Sequence, residues 1–364
     1  MDVEMLTYHA GGFFADRLAR AGIPCRVAGG RGGLSRVASV RSCFISARPE
    51  AVLAFLPMPA MYAELASLVS RRWGLVVGER SSSPDAAARG VRLRRQLHRL
   101  ADATVTNSHA NRLMMEATVS GLRGRVSTIY NSVDFEEFAP RPMPPHEGEA
   151  LRVVVAASYR RLKNVCGWIE AVHRATSLTP AARFTTDWFG GAASAARGSD
   201  ERRRAEDLVS RYGLEGSVRL HDAVSDIAER YAQAHVVALP SFYEGLPNAI
   251  CEAMACARPA AASAVSDAGN LVREGVTGVL LDPKNPDQIA EKLVLLSRTS
   301  NAELTAMGRA GLARARELLD IADVGRQYRI LIEAAARRSR PEPVFWPGEV
   351  PSTARVTAEA ACAR

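Results

Sequence analysis

The sequence predicts an α/β protein built from two doubly wound domains, each with a parallel sheet. Short apolar runs rich in β-branched residues alternate with longer stretches of helical periodicity along most of the chain. Such alternation is typical of parallel sheets that are covered by helices on both faces. A proline-rich segment from Pro140 to Gly148 interrupts the alternation, and 364 residues are enough for two hydrophobic cores.

Residues 1–140 are predicted to form the first domain. Its strands are expected at residues 3–7, 24–28, 51–56, 74–78, 103–106 and 125–129. Its helices are expected at residues 12–21, 34–46, 60–71, 89–100 and 108–118. The glycines at 29, 30, 32 and 33 are predicted to form a loop, because no Gly-x-Gly-x-x-Gly opens a helix there.

Residues 151–322 repeat the same pattern and are predicted to form the second domain. Strands are expected at residues 151–157, 183–189, 218–221, 235–239, 260–265 and 279–281. Helices are expected at residues 165–178, 201–212, 226–233, 287–297 and 302–318, with another after Pro247. A last helix is expected at residues 323–338, and the Pro-, Ala- and Arg-rich residues 339–364 are predicted to be disordered.

Charge and cysteine content restrict the class of protein. Lys and Arg number 47 against 39 Asp and Glu, which gives a net charge of +8. This surplus would suit phosphorylated substrates or peripheral contact with an anionic membrane, but the abundance of Ala and Arg throughout favours a general compositional bias. The six cysteines lack metal-binding spacing, and no apolar run approaches the ~18 residues of a membrane span. We therefore expect a cytoplasmic protein that could also associate peripherally with the inner face of the membrane.

Two glutamates define the candidate site. The strand predicted at residues 235–239 stops at Pro240, a turn with Gly245 follows, and Pro247 suits the first position of a helix. This order places Glu244 in the turn at the carboxyl end of the strand and Glu252 on the helix, about 8 Å further along its axis. Free N–H groups at the helix start would face the same crevice, where open α/β sheets bind ligands. The spacing alone leaves open that Glu244 caps the helix and that Glu252 is a solvated surface residue.

The same stretch resembles a known family. Tyr-Glu-Gly-Leu-Pro-Asn at residues 243–248, the Glu-x7-Glu spacing, and Glu-Gly-Val-Thr-Gly at 274–278 resemble the donor-site signature of retaining glycosyltransferases of the GT-B fold, family 4. The resemblance covers about residues 1–335 and is strongest over 151–300. It implies two Rossmann-like domains facing a cleft, with the last helix crossing back onto the first domain. It also implies transfer of a sugar from a UDP- or GDP-sugar, in polysaccharide, glycolipid or other glycoconjugate biosynthesis.

The resemblance also assigns roles to single residues. Lys163 matches the family lysine on the donor diphosphate, whereas Ser158 stands where the family has an arginine, so that Arg160 or Arg161 would have to reach in. Glu244 and Lys163 are the expected catalytic residues. The implied donor-binding residues are Ser158, Arg160, Arg161, Lys163, Gly190, Gly191, Glu244, Gly245, Leu246, Asn248 and Glu252. For the basic residues a solvated turn is the alternative, and for the two glycines beside the nucleotide base it is a strand-ending turn.

Some expected features are absent from the sequence. It contains no Asp-x-Asp, so we expect no metal and no other cofactor. Pro57-Met58-Pro59 occupies the place where relatives often carry a histidine near the acceptor, so the base and the acceptor, whether a sugar, a lipid-linked or a small molecule, stay unassigned. Residues 1–4 resemble the second strand of the family, so we expect that the first strand-helix unit is not included, either because the start is misplaced or because the protein is a natural fragment. A truncated, silent nucleotide-sugar-binding protein is therefore the main alternative. A glycoside hydrolase would need carboxylates flanking a sugar bond, and no nucleic-acid-binding motif is found.

Overall fold

The computed structural model describes residues 2–11, 14–80, 89–146, 150–179, 183–191 and 198–347. Within these ranges the strands form separate parallel sheets, and helices connect most successive strands. The α/β class predicted from the alternation is therefore confirmed.

The strands of the first 130 residues belong to two sheets. The smaller pairs β1 (Met5–Thr7) with β2 (Cys25–Val27). The larger contains β3 (Ala51–Phe55), β4 (Gly74–Glu79), β5 (Ala103–Thr106) and β6 (Val126–Ile129), which lie in the order β6-β5-β4-β3. The connecting helices are α1 (Ala15–Arg20), α2 (Gly33–Ala47), α3 (Pro57–Ala66), α4 (Arg89–Gln96) and α5 (His109–Thr118).

The six-stranded sheet is formed by strands that lie between residues 151 and 281. Its strands are β7 (Leu151–Ala156), β8 (Phe184–Phe189), β9 (Val218–His221), β10 (Val236–Leu239), β11 (Ala260–Ser263) and β12 (Gly278–Leu281). The helices that follow are α6 (Val165–Leu178), α7 (Gly198–Arg211), α8 (Ile227–Gln233), α9 (Asn248–Ala255), α10 (Ala268–Leu271), α11 (Pro286–Arg298), α12 (Asn301–Leu319) and α13 (Ile321–Ala336).

The strand order of this sheet, β12-β11-β10-β7-β8-β9, places its switch point between β7 and β10. On one side of this point the chain runs outward through β8 and β9, and on the other through β11 and β12. The loops that leave β7 and β10 therefore diverge and leave a crevice at the carboxyl ends of the strands, the usual place for a ligand in an open α/β sheet.

The last helix, α13, packs on β4 and β3 of the first large sheet. Gly74, at the start of β4, allows a close approach, since a Cβ there would lie 2.1 Å from the carbonyl oxygen of Ala335. The helix begins after Asp320, whose Oδ1 accepts hydrogen bonds from the N–H groups of Ala322 and Asp323. A cap at the start of α13 and a close backbone contact near its end therefore fix this helix against the first large sheet.

Several expected boundaries differ from the structure by a few residues, and two differences change the description of the fold. The helix expected at 60–71 begins at Pro57, because Leu56 turns the chain with φ of 73° and proline suits the first helical position. The disorder predicted from residue 339 is wrong for Phe345–Trp346, which form β13 at the edge of the sheet beside β6. Trp346 donates from its indole N–H to the carbonyl of Leu318. Residues 348–364 lie outside the described residues.

No helix in the described ranges is long and apolar enough to cross a membrane.

A buried charged cluster lies under the end of β4. His98 bonds through Nδ1 to Glu64 at 2.5 Å and through Nε2 to Glu79 at 3.4 Å, and all three side chains are buried. Arg94 and Arg95 also pair with Glu79. Burial opposes a charge on His98, but the bonds to both carboxylates outweigh it and raise the pKa of His98. The cluster therefore favours a protonated histidine.

This cluster predicts a pH-dependent stability. Because the folded pKa of His98 is raised, its contribution is complete below the unfolded pKa of about 6.5 and is lost as the pH rises through the folded value. His98→Gln should lower the free energy of unfolding by about 3 kcal/mol at pH 6 and should flatten its decline between pH 6 and 9. Chemical denaturation at several pH values measures this. The exposed His9, changed to Gln, is the control, and an unchanged pH slope in His98→Gln would contradict the assignment.

Candidate functional site

A cavity of about 410 Å³ opens at the carboxyl ends of β7, β8 and β10, at the switch point of the six-stranded sheet. All of its lining residues lie between residues 156 and 252. They are Ala156, Ala157, Ser158, Lys163, Phe189, Gly190, Gly191, Ala223, Val224, Ile227, Tyr231, Leu239, Glu244, Leu246, Asn248, Ala249 and Glu252. The structure thus brings most of the predicted site residues together.

Two of the residues that line the cavity form an ion pair. The Nζ of Lys163 donates to the Oε1 of Glu244 at 2.6 Å, and the two side chains are 22% and 11% exposed. Lys163 ends a short 3₁₀ turn after β7, whereas Glu244 lies in the loop between β10 and α9. A cation and a carboxylate from the two diverging loops therefore meet at the switch point.

Hydrogen bonds between the two loops hold this pair. The N–H of Phe242 donates to the carbonyl of Leu162 at 2.9 Å. Asn164 is buried, adopts a left-handed backbone with φ of 61°, and donates from Nδ2 to the carbonyls of Pro240 and Pro283. Asparagine tolerates this conformation better than most residues. The Lys-Asn pair in the sequence thus combines a cation for the cavity with the residue that fixes the turn.

The start of α9 differs in detail from the prediction. Pro247 is the residue before the helix rather than its first helical residue, a shift within the usual uncertainty of helix ends. The N–H of Asn248 donates to the carbonyl of Leu246 at 2.9 Å and is therefore used inside the turn. The side chain of Asn248 lines the cavity and accepts a hydrogen bond from Asn131 at 2.8 Å.

Glu252 is a largely buried carboxylate that also lines the cavity, which excludes the alternative of a solvated surface residue. Its Oε2 accepts a hydrogen bond from the hydroxyl of Tyr231 at 3.2 Å. Burial raises the pKa of Glu252, the bond from Tyr231 partly offsets this, and the nearby charge of Glu137 adds to it. The carboxylate can accept further hydrogen bonds from a ligand in the cavity.

Gly190 and Gly191 form a wall of the cavity beside Phe189. A Cβ on Gly190 would lie 2.1 Å from the carbonyl oxygen of Ala157, so the end of β8 can approach β7 only with glycine there. At Gly191 the nearest atom would be the Cβ of Ala223 at 3.6 Å. Gly190 is therefore required by packing, whereas Gly191 leaves open space for a ligand.

Three predicted residues do not line the cavity. Arg160 and Arg161 are exposed on the turn after β7 and are not among the residues that line the cavity. Gly245 lies behind the cavity, where a Cβ would approach the carbonyl oxygen of Arg80 to 2.8 Å. Ser158 does line the cavity, and among the described lining residues Lys163 is the sole basic one.

Sequence analysis missed several lining residues. Phe189, Ala223, Val224, Ile227 and Tyr231 complete the wall opposite Glu244. Ile227 and Tyr231 are four residues apart on α8 and therefore share one helix face. The spacing of the two residues was visible in the sequence. Whether their shared face points into the cavity depends on how α8 packs, which the sequence does not show.

No group of three or more His, Cys, Asp or Glu side chains within the described ranges is arranged to hold a metal ion.

Solved structures share this fold. Anabaena HepE in complex with UDP and glucose superposes with a TM-score of 0.77 over 91% of both chains at 21% identity. Sucrose-phosphate synthase from Thermosynechococcus elongatus superposes with a TM-score of 0.75 over 92% of this chain and 90% of the other, at 19% identity. The predicted GT-B fold, with two Rossmann-like domains, is therefore confirmed.

The second domain carries the family signal. The model of the family Glycosyl transferases group 1 matches residues 150–299, and these residues form a domain of that family. The chain is 27% identical over 233 residues to D-inositol 3-phosphate glycosyltransferase from Thermobifida fusca, which covers 60% of this chain. It is 26% identical over 194 residues to sucrose synthase 2 from Arabidopsis thaliana, which covers 49% of this chain. These alignments span only 52% and 24% of the two relatives.

Proposed function

We propose that this protein is a retaining glycosyltransferase that transfers a sugar from a UDP- or GDP-sugar to an acceptor held between its two domains. The observation that carries the proposal is the cavity at the switch point, which is lined by the Lys163–Glu244 ion pair and by Glu252. The group 1 match over residues 150–299 and the UDP bound by HepE support a nucleotide-sugar donor.

The geometry supports a division of roles along the cavity. Glu252, beside Tyr231, is suited to accept hydrogen bonds from the ribose hydroxyls, and the base would lie against Phe189 and Gly191. The diphosphate would then reach Lys163 and the start of α9, where a cation and the positive end of the helix dipole oppose negative charge.

The reaction needs this charge compensation at the diphosphate. As the glycosidic bond breaks, the leaving diphosphate gains negative charge and the anomeric carbon gains positive charge. Lys163 would stabilise the first charge. Glu244 would hold hydroxyls of the transferred sugar and stabilise the second charge, after its ion pair with Lys163 opens to admit the donor. We propose that no metal is required and that the acceptor belongs to polysaccharide, glycolipid or other glycoconjugate biosynthesis.

Thermal unfolding with UDP, GDP and their sugar conjugates, with and without magnesium, tests the donor class. A ligand that binds only the native state stabilises it, by about 2.7 kcal/mol at a concentration of 100 times its Kd. We expect stabilisation by one nucleotide, independent of magnesium. The anomeric configuration of the transferred sugar, read by NMR, then tests retention. An unchanged midpoint with every nucleotide would contradict the proposal.

Ser158 gives a prediction of gained affinity. It lines the same cavity as Lys163, which is the only basic residue among the described lining residues. An arginine can hold a phosphate through two parallel charge-assisted bonds. Ser158→Arg should therefore lower the Kd for UDP about tenfold, a gain of about 1.4 kcal/mol, when measured by titration calorimetry. Ser158→Ala is the matched control, with a small change expected. An equal or weaker affinity in Ser158→Arg would show that the diphosphate does not pass this position.

A further inference from the structure

Asp267 is a buried carboxylate whose described hydrogen bonds come from the first domain. It is 1% exposed and lies directly before α10. Its Oδ2 accepts from the N–H of His109 at 2.7 Å and from the hydroxyl of Tyr130 at 2.6 Å, and its Oδ1 accepts from the N–H of Ala110 at 2.9 Å. Both carboxylate oxygens are thus occupied by groups beyond its own domain.

These bonds complete the cap of α5. The first N–H groups of a helix have no partner inside the helix. In α5 the side chain of Ser108 accepts from the third of them, at Asn111, whereas Asp267 accepts from the first two, at His109 and Ala110. The negative charge also lies at the positive end of the helix dipole. One helix of the first domain is therefore capped in part by a residue of the second.

The loop that carries Asp267 also holds the backbone next to Glu244. Ser266 adopts a left-handed backbone with φ of 51°, and its hydroxyl donates to the carbonyl of Gly245 at 2.6 Å. On its other side Gly245 lies against the carbonyl oxygen of Arg80, at the end of β4. A short path therefore runs from α5 through Asp267, Ser266 and Gly245 to Glu244.

Separation of the domains would break this path. It would remove three donors from one carboxylate, and hydrogen bonds to charged groups are about twice as strong as neutral ones. The donor cavity itself would survive, because its lining residues lie between residues 156 and 252 of the second domain. Donor binding and domain docking are thus separable in this structure.

We propose that Asp267 is a positioning residue that couples docking of the two domains to the placement of Glu244. It acts through Ser266 and Gly245 and touches neither donor nor acceptor. The inference rests on the proposed transfer reaction, in which Glu244 must be placed against the sugar. It requires that loss of the Asp267 bonds changes transfer and domain spacing but not nucleotide binding.

The test is Asp267→Asn, which keeps the side-chain size but replaces one acceptor oxygen with an amide that opposes the N–H groups of α5. We expect a larger radius of gyration in small-angle X-ray scattering and a kcat reduced by up to about 100-fold, as is typical when a remote change displaces a catalytic group. The Kd for UDP, which lacks the sugar that Glu244 would hold, should stay unchanged. Ser266→Ala should lower kcat without changing the radius of gyration, because it cuts the path on the Glu244 side.

Tyr130→Phe removes one of the three donors and should give smaller changes in the same direction, so it replaces Asp267→Asn if that variant does not fold. An unchanged radius of gyration and kcat in these variants would overturn the inference. Equal loss of UDP binding and transfer would also overturn it, because that pattern indicates a general structural role. A parent protein that binds no nucleotide would contradict the proposed function instead, while the scattering comparison would still test domain docking.

Discussion

Replacing Glu244 with glutamine is expected to lower kcat for sugar transfer by about 10²- to 10³-fold while the chain stays folded. Glutamine keeps the size and one oxygen of the side chain but loses the negative charge that would oppose the positive charge at the anomeric carbon. Because this interaction strengthens only in the transition state, kcat should fall more than the donor KM changes.

UDP binding separates this effect from a loss of structure. The change to glutamine also breaks the ion pair with Lys163, which leaves the ammonium available to the diphosphate, so the Kd for UDP should stay equal or fall. Glu229→Gln, an exposed carboxylate on α8 close to the cavity, is the control and should retain full activity. Full transfer by Glu244→Gln would remove Glu244 from the catalytic site.

Where local patterns were strong, the sequence predicted the fold closely. The helix at residues 165–178 and the strand at 218–221 were placed with the bounds that the structure has. Both have apolar positions at the period of their structure, and tertiary packing covers those positions. The short β13 was missed, because Phe345 and Trp346 lie in a proline-rich segment and gain their stability from the edge of β6 and from Leu318.

The candidate site was predictable where strand ends determine position. Glu244 and Lys163 follow β10 and β7, which are adjacent in the sheet, so their residues meet at one edge. The directions of Arg160 and Arg161 were not predictable, since side chains on a turn point wherever the local dihedral angles direct them. The contact of Tyr231 with Glu252 depends on how two helices pack, and no local pattern encodes it.

The interdomain contacts were not predictable for a related reason. In the local sequence Asp267 is one polar residue before a short helix. Its role as a cap for α5 depends on how the two domains are placed relative to each other. A pattern within either domain carries no information on that placement.

Lys163→Ala is expected to raise the Kd for UDP by about 10- to 100-fold, since a hydrogen bond to a charged group contributes about 1.5–3 kcal/mol. No other described residue that lines the cavity is basic, so no neighbour can take over the compensation of the diphosphate charge. The loss should be the same with and without magnesium, because the proposed site uses no metal. Titration calorimetry with UDP measures both values.

Arg161→Ala is the matched control for this experiment. Arg161 lies in the same 3₁₀ turn as Lys163, but it is exposed and does not line the cavity. Both variants remove one positive charge within two residues, so a general effect of net charge would weaken binding equally in both. Selective loss in Lys163→Ala would assign the diphosphate to the cavity between β7 and β10. Equal losses would instead indicate that UDP is attracted by the basic surface of the turn, and the proposed donor position would be wrong.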